Sequence, residues 1–293
     1  MNLDLLAGAA RPAPPVTMRQ PTILLLDSGL GGLTVFAEVR KVRPDARFVY
    51  VADDAAFPYG ALPEDLVLSR VVGLVDGLVR RHAPDMVVIA CNTISTVVLP
   101  HLRHRFDIPF VGTVPAIKPA AVASRSRLIS VLATPGTVAR DYTRGLVEAY
   151  AGDCRVELVG SRTLAPLAEA AMRGDPVPDE AIADAIAPCF VADGGRRTDV
   201  IALACTHYPL LLDRLERLAP WPVLWIDPAP AIARRVTQIL GDPPRAAVAS
   251  PVDDPAAFFT GGGILDGALR RVLATRGLPL AFVDPHPLAL REH

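Results

Sequence analysis

The 293 residues carry 30 Lys and Arg against 31 Asp and Glu, a formal net charge of −1, and 51% of them are hydrophobic. A chain of this length predicts about two domains, and its apolar share suffices to bury parallel sheets on both faces. The near-balance of charge argues against nucleic-acid or anionic-membrane binding, and no apolar run approaches the roughly 18 residues of a membrane span.

The first 20 residues, MNLDLLAGAARPAPPVTMRQ, have no positive leader and hold Asp4 in a short apolar stretch. They predict a disordered Ala/Pro tail rather than a signal peptide, and hence a cytoplasmic chain. Short apolar runs predict strands at 22–27, 47–52, 85–91, 109–111, 127–133, 155–159, 198–205, 223–226 and 280–283. Helix-period segments lie between most of them, among them 63–82, 93–105, 136–150 and 228–240. PGTVARDY at 135–142 puts proline at a helix start, where its missing N–H costs nothing. GDP at 174–176 and GDPP at 241–244 are stops. The stretch GDPPRAAVASPVDDPAA, 241–257, reads as a flexible loop. Alternating short strands and helices are parallel βαβ units, so the fold class is α/β.

The pattern repeats. One half runs from ILLLDSGLGG to DMVVIAC, the other from LISVLATPGT to DVIALAC, and Asp85 and Asp199 each stand six residues before a cysteine, Cys91 and Cys205. Ligands of open parallel sheets sit beyond the carboxyl ends of the strands. The two cysteines therefore take matching, ligand-facing places in two similar doubly wound parallel-sheet lobes. A pseudo-twofold axis between the lobes would put the thiols on opposite walls of one cleft. The expected division is a tail (1–20), a first lobe with Asp27 and Cys91 (21–115 and 226–293) and a second with Cys205 and His207 (116–225).

A cysteine at a strand end is most often inert packing, and Cys154 and Cys189 keep that reading. Cys91 and Cys205 depart from it because they are paired and because polar side chains follow each: Asn92-Thr93 in one case, Thr206-His207 in the other. His207, two residues from Cys205, is a plausible proton partner. His82, His101, His104, His286 and His293 read as surface residues. The four cysteines show no CxxC pair and no zinc-ligand spacing. DSGLGG at 27–32 is neither a dinucleotide fingerprint nor a P-loop. Asp27 would repel a phosphate; with Ser28 it suits an ammonium group, and the glycines would let backbone approach closely. FPYG at 57–60 is a turn whose Tyr59 and Gly60 could offer donors to a carboxylate.

DSGLGG (27–32), FPYG (57–60), CNTIST (91–96), VPAIKPA (114–120), LATPGTV (132–138) and CTHYPLL (205–211) together resemble the glutamate racemases of the aspartate/glutamate racemase family. The likeness runs from about residue 21 to 240, and AFPYG and STVVLP are most similar to the proteobacterial type. It implies a cofactor-independent isomerase, with no metal, that interconverts L- and D-glutamate for peptidoglycan synthesis by two cysteines on opposite faces of the α-carbon. By motif position, Cys91 serves D-glutamate and Cys205 L-glutamate. Asp27 is implied as proton partner of Cys91 and His207 of Cys205, with Glu169 as an additional acid near the second thiol. Ser28, Tyr59, Gly60, Asn92, Thr93 and Thr206 are implied as substrate-binding residues, together with Asp27 and His207. A peptidoglycan precursor is implied as activator, and a homodimer is compatible with the family.

Two other readings stand beside this one. An aspartate racemase would carry an acidic residue where His207 stands, and a two-lobed binding protein would not need a reactive thiol on each wall. Ile94 replaces an expected small residue behind Cys91, and Asp54 adds a charge where relatives are commonly neutral. Neither belongs to the catalytic set.

Overall fold

The computed structural model describes residues 20–243, 253–263 and 265–284. The tail (1–19), most of the expected 241–257 loop (244–252), His286 and His293 lie outside the described residues. The strands are β1 (Thr22–Asp27), β2 (Arg47–Ala52), β3 (Met86–Ile89), β4 (Phe110–Gly112), β5 (Leu128–Ala133), β6 (Arg155–Gly160), β7 (Ala192–Asp193), β8 (Arg196–Arg197), β9 (Val200–Ala204), β10 (Leu224–Ile226), β11 (Ala256–Phe259) and β12 (Leu280–Val283). The helices are α1 (Leu33–Val42), α2 (Glu64–His82), α3 (Asn92–Arg105), α4 (Ile117–Ala123), α5 (Pro135–Val138), α6 (Asp141–Tyr150), α7 (Leu164–Arg173), α8 (Asp179–Ile186), α9 (Leu212–Leu218), α10 (Ala229–Leu240) and α11 (Gly267–Thr275).

Two parallel sheets carry the fold, ordered β12-β11-β2-β1-β3-β4 and β10-β9-β5-β6. Reading β1, β2, β3 and β4 onto β5, β6, β9 and β10 superimposes the order 2-1-3-4 on both. The duplication seen in the sequence is thus a duplication of topology, with β11 and β12 added outside β2. Each sheet is buried on both faces, which is why its strands are continuous apolar runs. In β1, Ile23 and Leu25 enter one core with α1 and α10, while Leu24 and Leu26 enter the other with α2 and α3.

The matched aspartates explain one shared feature. Asp85 accepts the Thr22 N–H at 2.7 Å, and Asp199 accepts Ser124 Oγ at 2.6 Å and the N–H groups of Arg125 and Ser126 at 2.7 and 2.8 Å. Each secures the chain just before the first strand of its half, at the end of the sheet away from the thiols.

Four expectations change. The predicted helix 136–150 is two helices, because Arg140 is extended (φ −78°, ψ 140°) between α5 and α6. The end of the expected loop is β11, paired with both β2 and β12, and the small hairpin β7–β8 was not foreseen. His82 is half-buried, its ring 5.2 Å from Phe258, and burial lowers its pKa. β10 ends at Ile226, one residue into the segment assigned to the first lobe. The chain crosses between sheets twice, after β4 and after β10, and α10 packs back against α1 in the first core.

Candidate active site

Both thiols stand just past the carboxyl ends of equivalent strands, Cys91 after β3 and Cys205 after β9. Each lies beside the point where its sheet's strand order reverses, the usual ligand position in such sheets. They are only 6% and 7% exposed, so the site is closed.

The two settings differ because the chain continues differently. Cys91 is the N-cap of α3, a 14-residue helix, and the N–H groups of Thr93 and Ile94 pull its thiol toward ionisation. Burial outweighs them, with the charges of Asp27 and Cys205 adding to it, and the Cys91 pKa is well above its usual value. Ile94, 1% exposed, packs with Cys91 in the same core. Cys205 instead has a base: His207 Nδ1 lies 4.0 Å from its sulfur. His207 Nε2 lies 2.9 Å from Glu169 Oε2, and that oxygen also accepts the Leu30 N–H at 3.0 Å. Burial alone would lower the His207 pKa. The hydrogen bonds with Cys205 and Glu169 and the Asp27 charge override it, and the value rises well above 6.5. For Glu169, burial pulls upward, but the His207 hydrogen bond and charge bring its pKa below the ordinary value.

Asp27, at the end of β1, is fully buried. Its Oδ2 accepts the Gly32 N–H at 2.7 Å and the Thr206 hydroxyl at 3.3 Å, while Oδ1 has no partner among the described residues. Burial raises its pKa against the pull of His207. Asn92 Nδ2 is likewise buried without a partner, while its Oδ1 accepts from Thr113 at 3.3 Å. One orphan acceptor and one orphan donor mark a polar site that a ligand would satisfy.

Other residues refine the sequence reading. The Tyr59 hydroxyl does not face the cleft; it donates to Asp53 at 2.6 Å, so only the turn backbone is left to bind a ligand. Two glycines of DSGLGG make room for the opposite lobe: a Cβ at Gly29 would meet the Glu169 carboxylate, and one at Gly31 would run into His207 and Thr206. Ser28 is 4% exposed beside Asp27. Thr134, Thr137 and Phe57, which had no assigned role, also belong here. Thr93, Thr134 and Thr137 form a hydroxyl triangle across the lobes, with edges of 3.0, 3.3 and 3.0 Å, and the Phe57 ring lies 5.2 Å from the His207 ring. The motif LATPGTV contained the threonines, but only the approach of the lobes gives them Thr93 as a partner. Asp54 accepts the Gly261 N–H at 2.7 Å, outside the cluster. Cys189 is buried in a core of the second lobe, which pushes its thiol up to about 12, and Cys154, beside Asp153 at 3.6 Å, packs against the other core of that lobe.

Two thiols at pseudo-equivalent strand ends, one near a carboxyl and the other beside an imidazole–carboxylate pair, form an arrangement suited to proton transfer in a two-lobed α/β enzyme. A family profile described as Asp/Glu/Hydantoin racemase matches residues 34–236. Glutamate racemase of Brucella ovis is 51% identical over 269 residues, covering 91% of this chain and 96% of that one. Glutamate racemase of Brucella anthropi is 50% identical over 270 residues, covering 92% and 96%. Among solved structures, Escherichia coli glutamate racemase in complex with L-glutamate and the activator UDP-MurNAc-Ala is 38% identical. It covers 90% of this chain and 98% of its own, with a TM-score of 0.82. The chain belongs to the Asp/Glu/Hydantoin racemase family and is an isomerase of the racemase class.

Proposed function

We propose that the chain interconverts L- and D-glutamate by two-thiol proton transfer, without a cofactor. Cys205, as thiolate beside protonated His207, removes the α-proton of L-glutamate; the Cys91 thiol delivers a proton to the opposite face. The product is D-glutamate, Cys205 now holds the abstracted proton and Cys91 is left as thiolate. The reverse reaction exchanges the roles. Asp27 serves Cys91, His207 with Glu169 serves Cys205, and only a few per cent of a free thiol is ionised at neutral pH without such help. Asn92, Thr93, Thr206 and Ser28, with the backbone of Tyr59 and Gly60, bind the substrate's charged groups. The observation that carries this reading is the placement of Cys91 and Cys205 at matching ends of two sheets of the same order, both closing on one buried polar cluster.

The product would supply D-glutamate for peptidoglycan in the cytoplasm, where four free thiols suit a reducing environment. No helix among the described residues is long and apolar enough to cross a membrane. The Escherichia coli relative's complex with UDP-MurNAc-Ala supports a peptidoglycan-precursor activator here as well. A cavity of about 470 Å³ at the two crossings between sheets suits an anionic nucleotide, with Lys118, Arg234 and Arg235 for phosphates and Tyr142 and Tyr150 for a ring.

The central test is proton NMR of each enantiomer during early turnover in D2O. Product D-glutamate should carry solvent deuterium while the remaining L-glutamate stays protiated. Cys91→Ala and Cys205→Ala should each abolish racemisation in both directions. Racemisation above background in either variant, or protium carried into the wild-type product, would overturn the mechanism.

A further inference from the structure

Asp53 follows β2, its N–H donates to Asp27 O at 2.8 Å, and it has no exposed surface. Its two oxygens accept four hydrogen bonds. Oδ2 takes the Tyr59 hydroxyl and Arg70 Nε, both at 2.6 Å; Oδ1 takes Arg70 Nη2 and Thr260 Oγ1, both at 2.5 Å. Arg70 comes from α2, and Thr260, at the end of β11, is 207 positions away. Thr260 also accepts the Ala55 N–H at 3.3 Å. It lies beyond residue 236, where the family profile match ends.

A carboxylate with every lone pair engaged neither binds substrate nor moves a proton. For stability alone, a hydrophobic replacement of a buried pair is often as good. What a two-pronged guanidinium and a directed hydroxyl supply is orientation. The oriented element is the turn at 57–60, the part of the first lobe that reaches over the second. Phe57 packs on His207 there, a Cβ at Gly60 would stand 3.3 Å from Thr134 Oγ1, and the Gly60 carbonyl faces Gly136.

We propose that the buried Asp53–Arg70 pair, anchored to the end of β11 by Thr260, positions the Phe57–Gly60 turn so that its backbone can hold a substrate carboxylate. Asp53, Arg70 and Thr260 are positioning residues in this scheme, and it rests on the glutamate reading above. A carboxylate contact held equally in ground and transition states enters KM and leaves kcat alone.

Because Asp53→Asn removes the charge facing buried Arg70 and could prevent folding, the test uses Tyr59→Phe, Thr260→Val and Thr260→Ser in the full chain. Steady-state kinetics with both enantiomers are joined to hydrogen–deuterium exchange of the 54–62 segment. Tyr59→Phe and Thr260→Val should each raise KM about fivefold or more, with kcat within about twofold, while Thr260→Ser restores wild-type values. Exchange at 54–62 should quicken in the first two variants only. Unchanged KM and exchange in Thr260→Val overturns the proposal. So does a KM rise confined to Tyr59→Phe with unchanged exchange, which would put that hydroxyl on the substrate. A fall in kcat with KM intact overturns it too. If wild-type protein does not racemise glutamate, the functional reading fails by itself, and the exchange measurements still decide whether Asp53 and Thr260 hold the turn.

Discussion

In the proposed mechanism the same bond-breaking at Cys91 and Cys205 would be served by different neighbours. A helix N-terminus and a carboxyl face Cys91; an imidazole that shares a proton with a carboxylate faces Cys205. Asp27→Asn keeps an acceptor for the Gly32 N–H but removes the charge, and His207→Asn removes the base. Each should lower turnover by roughly the 10²–10⁴ of a lost general acid or base, measured by circular dichroism in both directions. The buried His207–Glu169 pair also ties stability to pH. A histidine raised above 6.5 contributes stability that is complete below that value and is lost as pH rises through its folded pKa. A glutamate lowered below 4.5 contributes stability that is present above that value and is lost as pH falls through its folded pKa. Both contributions are whole between 4.5 and 6.5. In urea titrations His207→Gln should therefore be less stable than wild type by about 3–5 kcal/mol near the middle of that window. The gap should narrow as pH is raised; a gap that widens would mean a neutral His207 in the fold.

Among the elements of the site, the turn between β1 and α1 is sensitive to volume. Its glycines hold none of the positive φ values found at Gly174 or Gly241; Gly29 and Gly31 are small because Glu169, His207 and Thr206 of the other lobe occupy the space a side chain would fill, and Gly32 because Asp27 and Tyr50 do. Gly31→Ala should push His207 away from Cys205 or the lobes apart, and cut turnover at least about tenfold, as a misplaced general base does. Gly77→Ala is the control. It sits inside α2 with nothing within 4 Å of the new Cβ, so it should add about 0.5–1 kcal/mol of stability with activity unchanged. Equal losses of activity in the two variants would show that helix perturbation, not crowding at the cleft, is responsible.

For the whole molecule, closure is what matters. The cysteines are buried, and bonds cross the cleft from Thr93 to Thr134, from Thr206 to Asp27, from Leu30 to Glu169 and from Arg140 to Glu64, the last at 2.9 Å. Opening of these bonds would widen the way to the buried thiols, and the two crossings that would flex line the 470 Å³ cavity. A ligand there would bias the open–closed equilibrium by as much as it prefers one state. UDP-MurNAc-Ala should raise the racemisation rate, and Arg235→Ala should weaken that activation about tenfold or more in the concentration required, as loss of a charge-assisted phosphate contact does. Basal activity should be unchanged. Activation that is equally strong in Arg235→Ala would place the activator elsewhere.

Much of this was legible in the sequence because it is local. Strands β1 and β2 were bounded to the residue because unbroken apolar runs in a two-faced sheet need no partner to be recognised. Cys91, Cys205 and His207 stood out as candidates through their neighbours in sequence, Asp27 through its place at a strand end in DSGLGG, and the duplicated Asp–Cys spacing foretold two sheets of one design. β11 was missed because AAFF has only four residues after a proline- and aspartate-rich stretch, and pairing with β2 more than 200 positions away makes it a strand. The same distance in sequence hid the rest. Nothing near Glu169 shows that it bonds His207 38 positions later, nothing in FPYG shows that its tyrosine turns inward to Asp53, and nothing in DSGLGG shows whose side chains its glycines accommodate. Periodicity and adjacency are properties of the chain; which side chains meet across a cleft depends on how two sheets are brought face to face, and that is decided only when both cores have packed.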